Sequence, residues 1–318
     1  MIVKKLEFPQ EIQQLQALVR RLNPSHPSYE EANENLTRRL AGYKGELSLS
    51  YPLSFLPSNH LIFHDLRLTD GSHFFQIDAL ILTSKWILII EAKNIAGRLH
   101  FDQHFNQLLR TLNEAQEAFA NPVIQVRRHK LQLAKWLSHH HLPSLPILTL
   151  VASSNPRSIL SSDDPELDIV VRTDNLPEKI NELTSQFSEE HLTEEQIHLL
   201  TSALLTKHTP GNFIFLSQLK INPLDIRRGV FCEECSRLPM NRKRGYWKCM
   251  KCGHRSRIAH EIAIRDYYLL FGPEITNAKL RDFLLIDSIY IASRILTSLK
   301  ARRSGKNKGS CYQLIYED

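Results

Sequence analysis

Gln76-Ile77-Asp78-Ala79-Leu80-Ile81-Leu82-Thr83-Ser84-Lys85-Trp86-Ile87-Leu88-Ile89-Ile90-Glu91-Ala92-Lys93 is the stretch on which the fold of the first half turns. Two apolar runs rich in isoleucine and leucine flank the polar step Thr83-Ser84-Lys85. Such runs read as neighbouring strands, and strands joined by a tight turn run antiparallel. With Ser84-Lys85 as a two-residue turn, Thr83 faces Trp86 and Asp78 faces Glu91. Side chains alternate along a strand and directly opposed residues share a face. Asp78, Glu91 and Lys93 therefore converge, flanked by Ile77, Ile89, Ile90 and Ala92. Two carboxylates opposed in an apolar sheet are destabilising unless a cation or partner compensates. A divalent metal does so, and oxygen ligands select Mg²⁺ or Mn²⁺ over zinc.

Working outward, residues 61–68 read as a strand and Asp70-Gly71 as a hairpin signal. Asn121-Pro122 sets a capping residue before a proline at the first helical position, opening a helix to about Leu137. Residues 145–151 and 167–171 read as buried strands, and 177–187 and 193–207 as helices. Upstream, residues 1–22 read as one helix and 29–40 as a second, with Gly42-Tyr43-Lys44-Gly45-Glu46 leading into a short helical or extended stretch. Thr209-Pro210-Gly211 marks the stretch 207–222 as a linker. This alternation of strands and helices gives an α/β fold class.

Gly42-x-x-Gly45-Glu46, then Ile77-Asp78, then Glu91-Ala92-Lys93-Asn94, then Gln125 in a helix together resemble the nuclease-related domain, NERD, of the PD-(D/E)xK restriction-endonuclease-like superfamily. The resemblance covers about residues 37–150. It implies a restriction-endonuclease-like core, a mixed sheet flanked by helices, and hydrolysis of phosphodiester bonds. It implies Asp78 and Glu91 as ligands of Mg²⁺ or Mn²⁺, Lys93 as the active-site lysine and Glu46 as an accessory acid from the first core helix. Gln125 matches the helical glutamine that some superfamily members carry after the lysine. His129 lies four residues on and on the same helix face, where relatives with a Gln-x-x-x-Tyr motif carry tyrosine.

The last third reads differently. From Arg227 to Asp318 there are 19 Lys/Arg against 9 Asp/Glu, a net of +10, while residues 1–226 carry a net of −4. A basic region this distinct points to a polyanion partner, nucleic acid, with DNA the expected one. Cys232-x2-Cys235 and Cys249-x2-Cys252 have the spacing of two knuckles that close one structural four-thiolate Zn²⁺ site, a zinc ribbon. Gly253 after the last cysteine supplies the tight backbone of such a turn. Beyond the ribbon come three helical stretches, about 262–271, 278–283 and 288–299, and then a basic hairpin. That order looks like a winged-helix DNA-binding domain with 288–298 as its recognition helix; the alternative is a three-helix cap on the ribbon. The candidate nucleic-acid contacts are Arg242, Lys243, Arg244, Arg294, Arg302, Arg303, Lys306 and Lys308, with Tyr290 facing the groove.

The 318 residues suggest two or three domains, and 42% apolar with 23% charged residues is an ordinary globular composition. That excludes a collagen, a coiled-coil rod and a disordered tail. No apolar run approaches the ~18 residues of a membrane span. The opening Met1-Ile2-Val3-Lys4-Lys5 does not read as a signal peptide, so the cytoplasm is the expected address. The expected organisation is a helical extension (1–36), a nuclease-like domain (37–155), an α/β extension and linker (156–222), a zinc ribbon (227–260) and a winged-helix domain (261–318). The leading reading is a metal-dependent nuclease targeted by its basic arm. The alternative is a non-catalytic DNA- or RNA-binding or regulatory protein with an inactive nuclease-like core.

Overall fold

The structure is a computed structural model that describes residues 1–162, 167–211, 216, 219, 221–299, 301–305 and 310–316. Strand β1 (Ile2–Lys4), helix α1 (Gln10–Arg21), helix α2 (Tyr29–Ser48) and the short helix α3 (Ser50–Leu53) come first. Six strands follow: β2 (Leu61–Thr69), β3 (Phe74–Leu82), β4 (Ile87–Lys93), β5 (Gly97–Asp102), β6 (Gln107–Leu112) and β7 (Ala115–Ala120). Next are helix α4 (Pro122–His139), strands β8 (Ile147–Ser153), β9 (Ser158–Ser162) and β10 (Val170–Arg172), and helices α5 (Leu176–Thr184) and α6 (Glu194–Lys207). The packing divides the chain into two units. One holds Met1–Glu7 and Leu40–Asn212, the other Phe8–Arg39 and Phe213–Asp318.

The first unit is built on a six-stranded mixed sheet in the order β1-β2-β3-β4-β8-β10. Strands β2, β3 and β4 are antiparallel, whereas β1, β8 and β10 each run parallel to their neighbour. Ala79 pairs with Ile90 and Leu82 with Ile87, the register that the Ser84-Lys85 turn sets. The Thr83 amide closes that turn on the Trp86 carbonyl. Apolar residues cover both faces. Phe63, Leu80, Ile87 and Ile89 pack with Leu133 and Trp136 of α4 and Leu200 of α6. Ala79, Ile81, Leu88 and Ile90 pack with Leu53 of α3 and Ile180 of α5. Asn121 caps α4 by accepting the Val123 amide at 2.9 Å, with Pro122 in the first turn.

Simple alternation fails at one place. Phe63 and Leu66, three residues apart, belong to the same core, as do Ile77 and Leu80. Between the first two, Asp65 has φ +51°. A left-handed residue in a strand bends it and shifts which face the next side chain meets. Asp78 stands beside this irregularity on the partner strand.

Two further departures from the sequence reading concern the amino-terminal region. Residues 1–22 are not one helix: Ile2 and Lys4 pair with Ile62 and Phe63 in the sheet, and the helix starts after Pro9, whose ring leaves no amide to donate within a helix. Helix α2 does not stop near residue 40 but continues through both glycines to Ser48. A smaller sheet, β7-β6-β5-β9, which the sequence reading did not anticipate, packs Leu99, Phe101 and Leu108 against Val123 and Val126 of α4.

In the second unit, three short strands, β11 (Asn241–Arg242), β12 (Trp247–Lys248) and β13 (Arg255–Ser256), form an antiparallel sheet. Helix α7 (His260–Phe271), strand β14 (Glu274–Thr276), helices α8 (Asn277–Leu284) and α9 (Ile289–Ser298), and strands β15 (Arg302–Ser304) and β16 (Cys311–Gln313) follow. The last three strands make a sheet in the order β14-β16-β15. One core joins Leu15 and Leu18 of α1 to Trp247, Ile264, Phe283 and Leu296. Among the described residues no helix is long and apolar enough to cross a membrane.

Candidate active site and metal centre

The candidate catalytic groups stand on the inner strands β3 and β4 of the first sheet. The backbone amide of Ala92 donates to Asp78 Oδ2 at 2.7 Å, which places the Asp78 carboxylate across from Glu91. Glu91 is only 3% exposed. Its Oε1 accepts from Lys93 Nζ at 2.6 Å, and the same ammonium donates to Gln125 Oε1 at 3.1 Å. Helix α4 thus delivers Gln125 to the lysine. Glu46 stands on α2, and its charge acts on Asp78.

Local packing explains why α2 reaches this place. Asn94 Nδ2 donates to the Ala41 carbonyl at 2.9 Å. A Cβ at Gly45 would stand 3.0 Å from Asn94 Cβ, so the glycine allows the helix to approach the end of β4 closely.

The electrostatics are those of crowded acids. Burial, then the charges of Glu91 and Glu46, push the Asp78 carboxyl well above the usual aspartate range, with the Ala92 amide and Lys93 opposing. Burial also raises Glu91, while Lys93 and Gln125 hold it partly down. His129, one turn beyond Gln125, is buried and pulled down to about 4 by desolvation and by the charges of Arg128 and Lys93, so it is neutral near pH 7. Its Nδ1 lies 3.8 Å from Glu91 Oε2, and neither atom has a hydrogen-bond partner among the described residues. Arg128 escaped the sequence reading because an exposed arginine on a helix carries no spacing signal.

The donor set fits a hard divalent cation. Asp78 and Glu91 offer oxygens only, Glu91 Oε2 is buried without a hydrogen-bond partner among the described residues, and the charges of Lys93 and Arg128 leave both carboxyls still raised by burial. Outside the four paired cysteines, no group of three His, Cys, Asp or Glu ligand atoms among the described residues lies within 4.8 Å of one another. A cation held by Asp78 and Glu91 would therefore complete its shell from backbone, water or substrate, which Mg²⁺ commonly does.

The cysteines do form such a group. The sulfurs of Cys232, Cys235, Cys249 and Cys252 all lie within 4.8 Å of one another. Cys232 Sγ is 3.6 Å from Cys252 Sγ, and Cys235 Sγ is 3.6 Å from Cys249 Sγ. A tetrahedral site with Zn–S near 2.3 Å sets its sulfurs about 3.8 Å apart, so the four could hold a structural zinc. The two halves repeat one turn. Ser236 and Gly253 each follow the second cysteine of a pair, with φ of +55° and +77°. Their amides donate to the carbonyls of Cys232 and Cys249. Amides of Cys252 and Lys251 aimed at Cys249 bring its thiol down to about 6, while, against the pull of the His254 amide, burial and the three neighbouring sulfurs push Cys252 up to about 12.

The basic candidates divide. Lys243, Arg244, Arg294, Arg302 and Arg303 are exposed, with Arg303 Nη2 donating to Ser310 Oγ at 2.9 Å. Arg242 instead is half-buried, its guanidinium 5.1 Å from the centre of the Trp247 ring. Tyr290 is 83% exposed. Lys306 and Lys308 lie outside the described residues.

Residues 41–154 match the family model of the nuclease-related domain. That span contains Glu46, Asp78, Glu91, Lys93 and Gln125 together. No curated protein and no solved structure matches the chain. The matched span covers β2 to β8 and the carboxylate pair, and stops short of the cysteine cluster.

Proposed function

We propose that the chain is a metal-dependent nuclease that hydrolyses phosphodiester bonds in DNA. The observation that carries this reading is the opposed pair Asp78 and Glu91 with Lys93 bonded to both Glu91 and Gln125, inside the span matching the nuclease-related domain. Asp78 and Glu91 would hold Mg²⁺ or Mn²⁺, and the Ala92 carbonyl is a further candidate ligand. Such an ion, when bound, polarises the scissile phosphate and makes water a better nucleophile. Lys93, held by Glu91 and Gln125, presents its ammonium to the negative charge that develops on the phosphoryl oxygens. Glu46 orients water from the α2 side. Neutral His129 fills the wall behind Glu91 without adding charge.

The rest of the chain supplies targeting in this reading. The four cysteines hold one structural zinc and make residues 227–260 a ribbon. The order α7-β14-α8-α9-β15-β16, with its three-stranded sheet, resembles a winged helix over residues 261–318. Exposed Tyr290 and Arg294 on α9 then face DNA, with Lys243, Arg244, Arg302 and Arg303 on phosphate.

The test is cleavage of plasmid, linear duplex and single-stranded DNA by the full chain with Mg²⁺, Mn²⁺ or EDTA, beside Lys93→Ala. The expected result is metal-dependent cleavage that falls about 10²–10³-fold in the variant. Binding without cleavage under every metal condition would leave the non-catalytic reading in its place.

A further inference from the structure

Helix α4 sends two side chains to the carboxylate site. Gln125 and His129 stand four residues apart on it and share one face. Gln125 meets Lys93, and His129 meets Glu91. Both members of the second pair are buried, His129 at 5% exposure and Glu91 at 3%. His129 Nδ1 lies 3.8 Å from Glu91 Oε2, and neither atom has a hydrogen-bond partner among the described residues. Two buried polar atoms that face each other without another partner are a costly arrangement.

The separation is about 0.9 Å longer than an ordinary N–H···O bond. Hydrogen bonds in a catalytic site are often long before its ligands arrive and tighten afterwards. The other oxygen of Glu91, Oε1, already accepts from Lys93 Nζ at 2.6 Å. One anchored oxygen leaves the carboxylate free to turn about its last bond, and a donor on Oε2 fixes its plane. An ionised carboxylate oxygen only accepts, so a bond at this place puts the proton of a neutral imidazole on Nδ1.

We propose that His129 is a positioning residue, whose Nδ1–H donates to Glu91 Oε2 and holds that carboxylate in the orientation that binds the cation. The inference rests on the reading of Asp78 and Glu91 as cation ligands and adds the residue that orients one of them. Groups that hold a ligating side chain typically contribute about 10–100-fold in metal affinity.

Calorimetric titration of Mn²⁺ into the full chain without DNA tests it, with the melting temperature of each variant measured alongside. Asparagine carries its amide nitrogen as many bonds from the backbone as Nδ1, so His129→Asn keeps the donor. His129→Leu fills the space without one, and His129→Phe does the same if the leucine variant does not fold. Leucine or phenylalanine should weaken Mn²⁺ binding about tenfold or more in folded protein, while asparagine stays within about threefold of wild type. Wild-type affinity in the leucine or phenylalanine variant would overturn the proposal. So would an asparagine variant as weak as leucine, because the ring rather than its donor would then be what matters. Glu91→Ala separates this inference from the reading beneath it. Binding lost in Glu91→Ala but unchanged in His129→Leu overturns the role of His129 alone. No Mn²⁺ binding by wild type, or equal binding by Glu91→Ala, overturns the cation site and the role of His129 with it.

Discussion

Asp78 and Glu91 are costly residues in a metal-free protein, and the sign of that cost can be worked out. Burial and the neighbouring carboxylates raise the Asp78 pKa in the folded chain, so the folded form holds this proton more tightly than the unfolded form does. The resulting stability is present below the ordinary aspartate pKa and is lost as pH rises through the raised value. Asp78→Asn should therefore raise the melting temperature of metal-free protein at about pH 7.5 by a few degrees, and by less at about pH 5. Calorimetry at the two pH values checks this, and a neutral-pH loss of stability would contradict it. Millimolar Mg²⁺ should stabilise the wild-type chain more than the variant. The facing of Asp78 and Glu91 was legible because a tight turn sets the antiparallel register residue by residue. The bend at Asp65 was not, since an aspartate with positive φ leaves no mark on the apolar pattern. The spacing of Gln125 and His129 announced a shared helix face. That His129 is neutral follows from its burial and from the charges of Arg128 and Lys93, which helical spacing does not contain.

At the scale of elements, long apolar strands and capped helices could be read, and polar ones could not. Strands β3, β4 and β8 are nearly continuous aliphatic runs, as strands covered on both faces are. Strand β7 is largely exposed and polar, so its sequence Ala115-Gln116-Glu117-Ala118-Phe119-Ala120 carries no strand period. Its hairpin turn is Asn113-Glu114, both with positive φ, and glutamate in the place glycine usually takes hides the signal. The cysteine turns, by contrast, were legible from spacing alone, because two knuckles need two cysteines each at fixed offsets. If those four sulfurs hold zinc, the metal contributes directly to folding there. Cys249→Ser should then lose the zinc found by elemental analysis of protein purified without chelator. Exchange protection should fall around 230–260, while β2 to β4 keep theirs. Zinc absent from the wild-type protein would refute the assignment.

On the whole-molecule scale, the two units are assembled from non-contiguous pieces, which linear reading of domains did not anticipate. Phe8–Arg39 belongs with the carboxy-terminal region, where Leu15, Leu18 and Leu22 share a core with Trp247 and Phe283. A fragment ending near residue 220 would strip those leucines of their partners, so it should be poorly soluble rather than an independent enzyme. Charge substitutions in the full chain are the better probe of DNA binding. Replacing exposed Lys243, Arg244 and Arg302 by glutamine should lower the slope of log K against log[salt] by about 0.9 for each phosphate no longer neutralised. An unchanged slope would place the DNA-binding surface elsewhere. The central claim is that Asp78 and Glu91 together hold the ion that supports cleavage. Its most direct test is the cleavage rate of a labelled DNA duplex by wild-type chain, Asp78→Ala and Glu91→Ala at saturating Mg²⁺, with folding checked by circular dichroism. The account predicts a loss of about 100-fold or more in each folded variant and none remaining in EDTA. Cleavage that persists in both variants, or in EDTA, would contradict it.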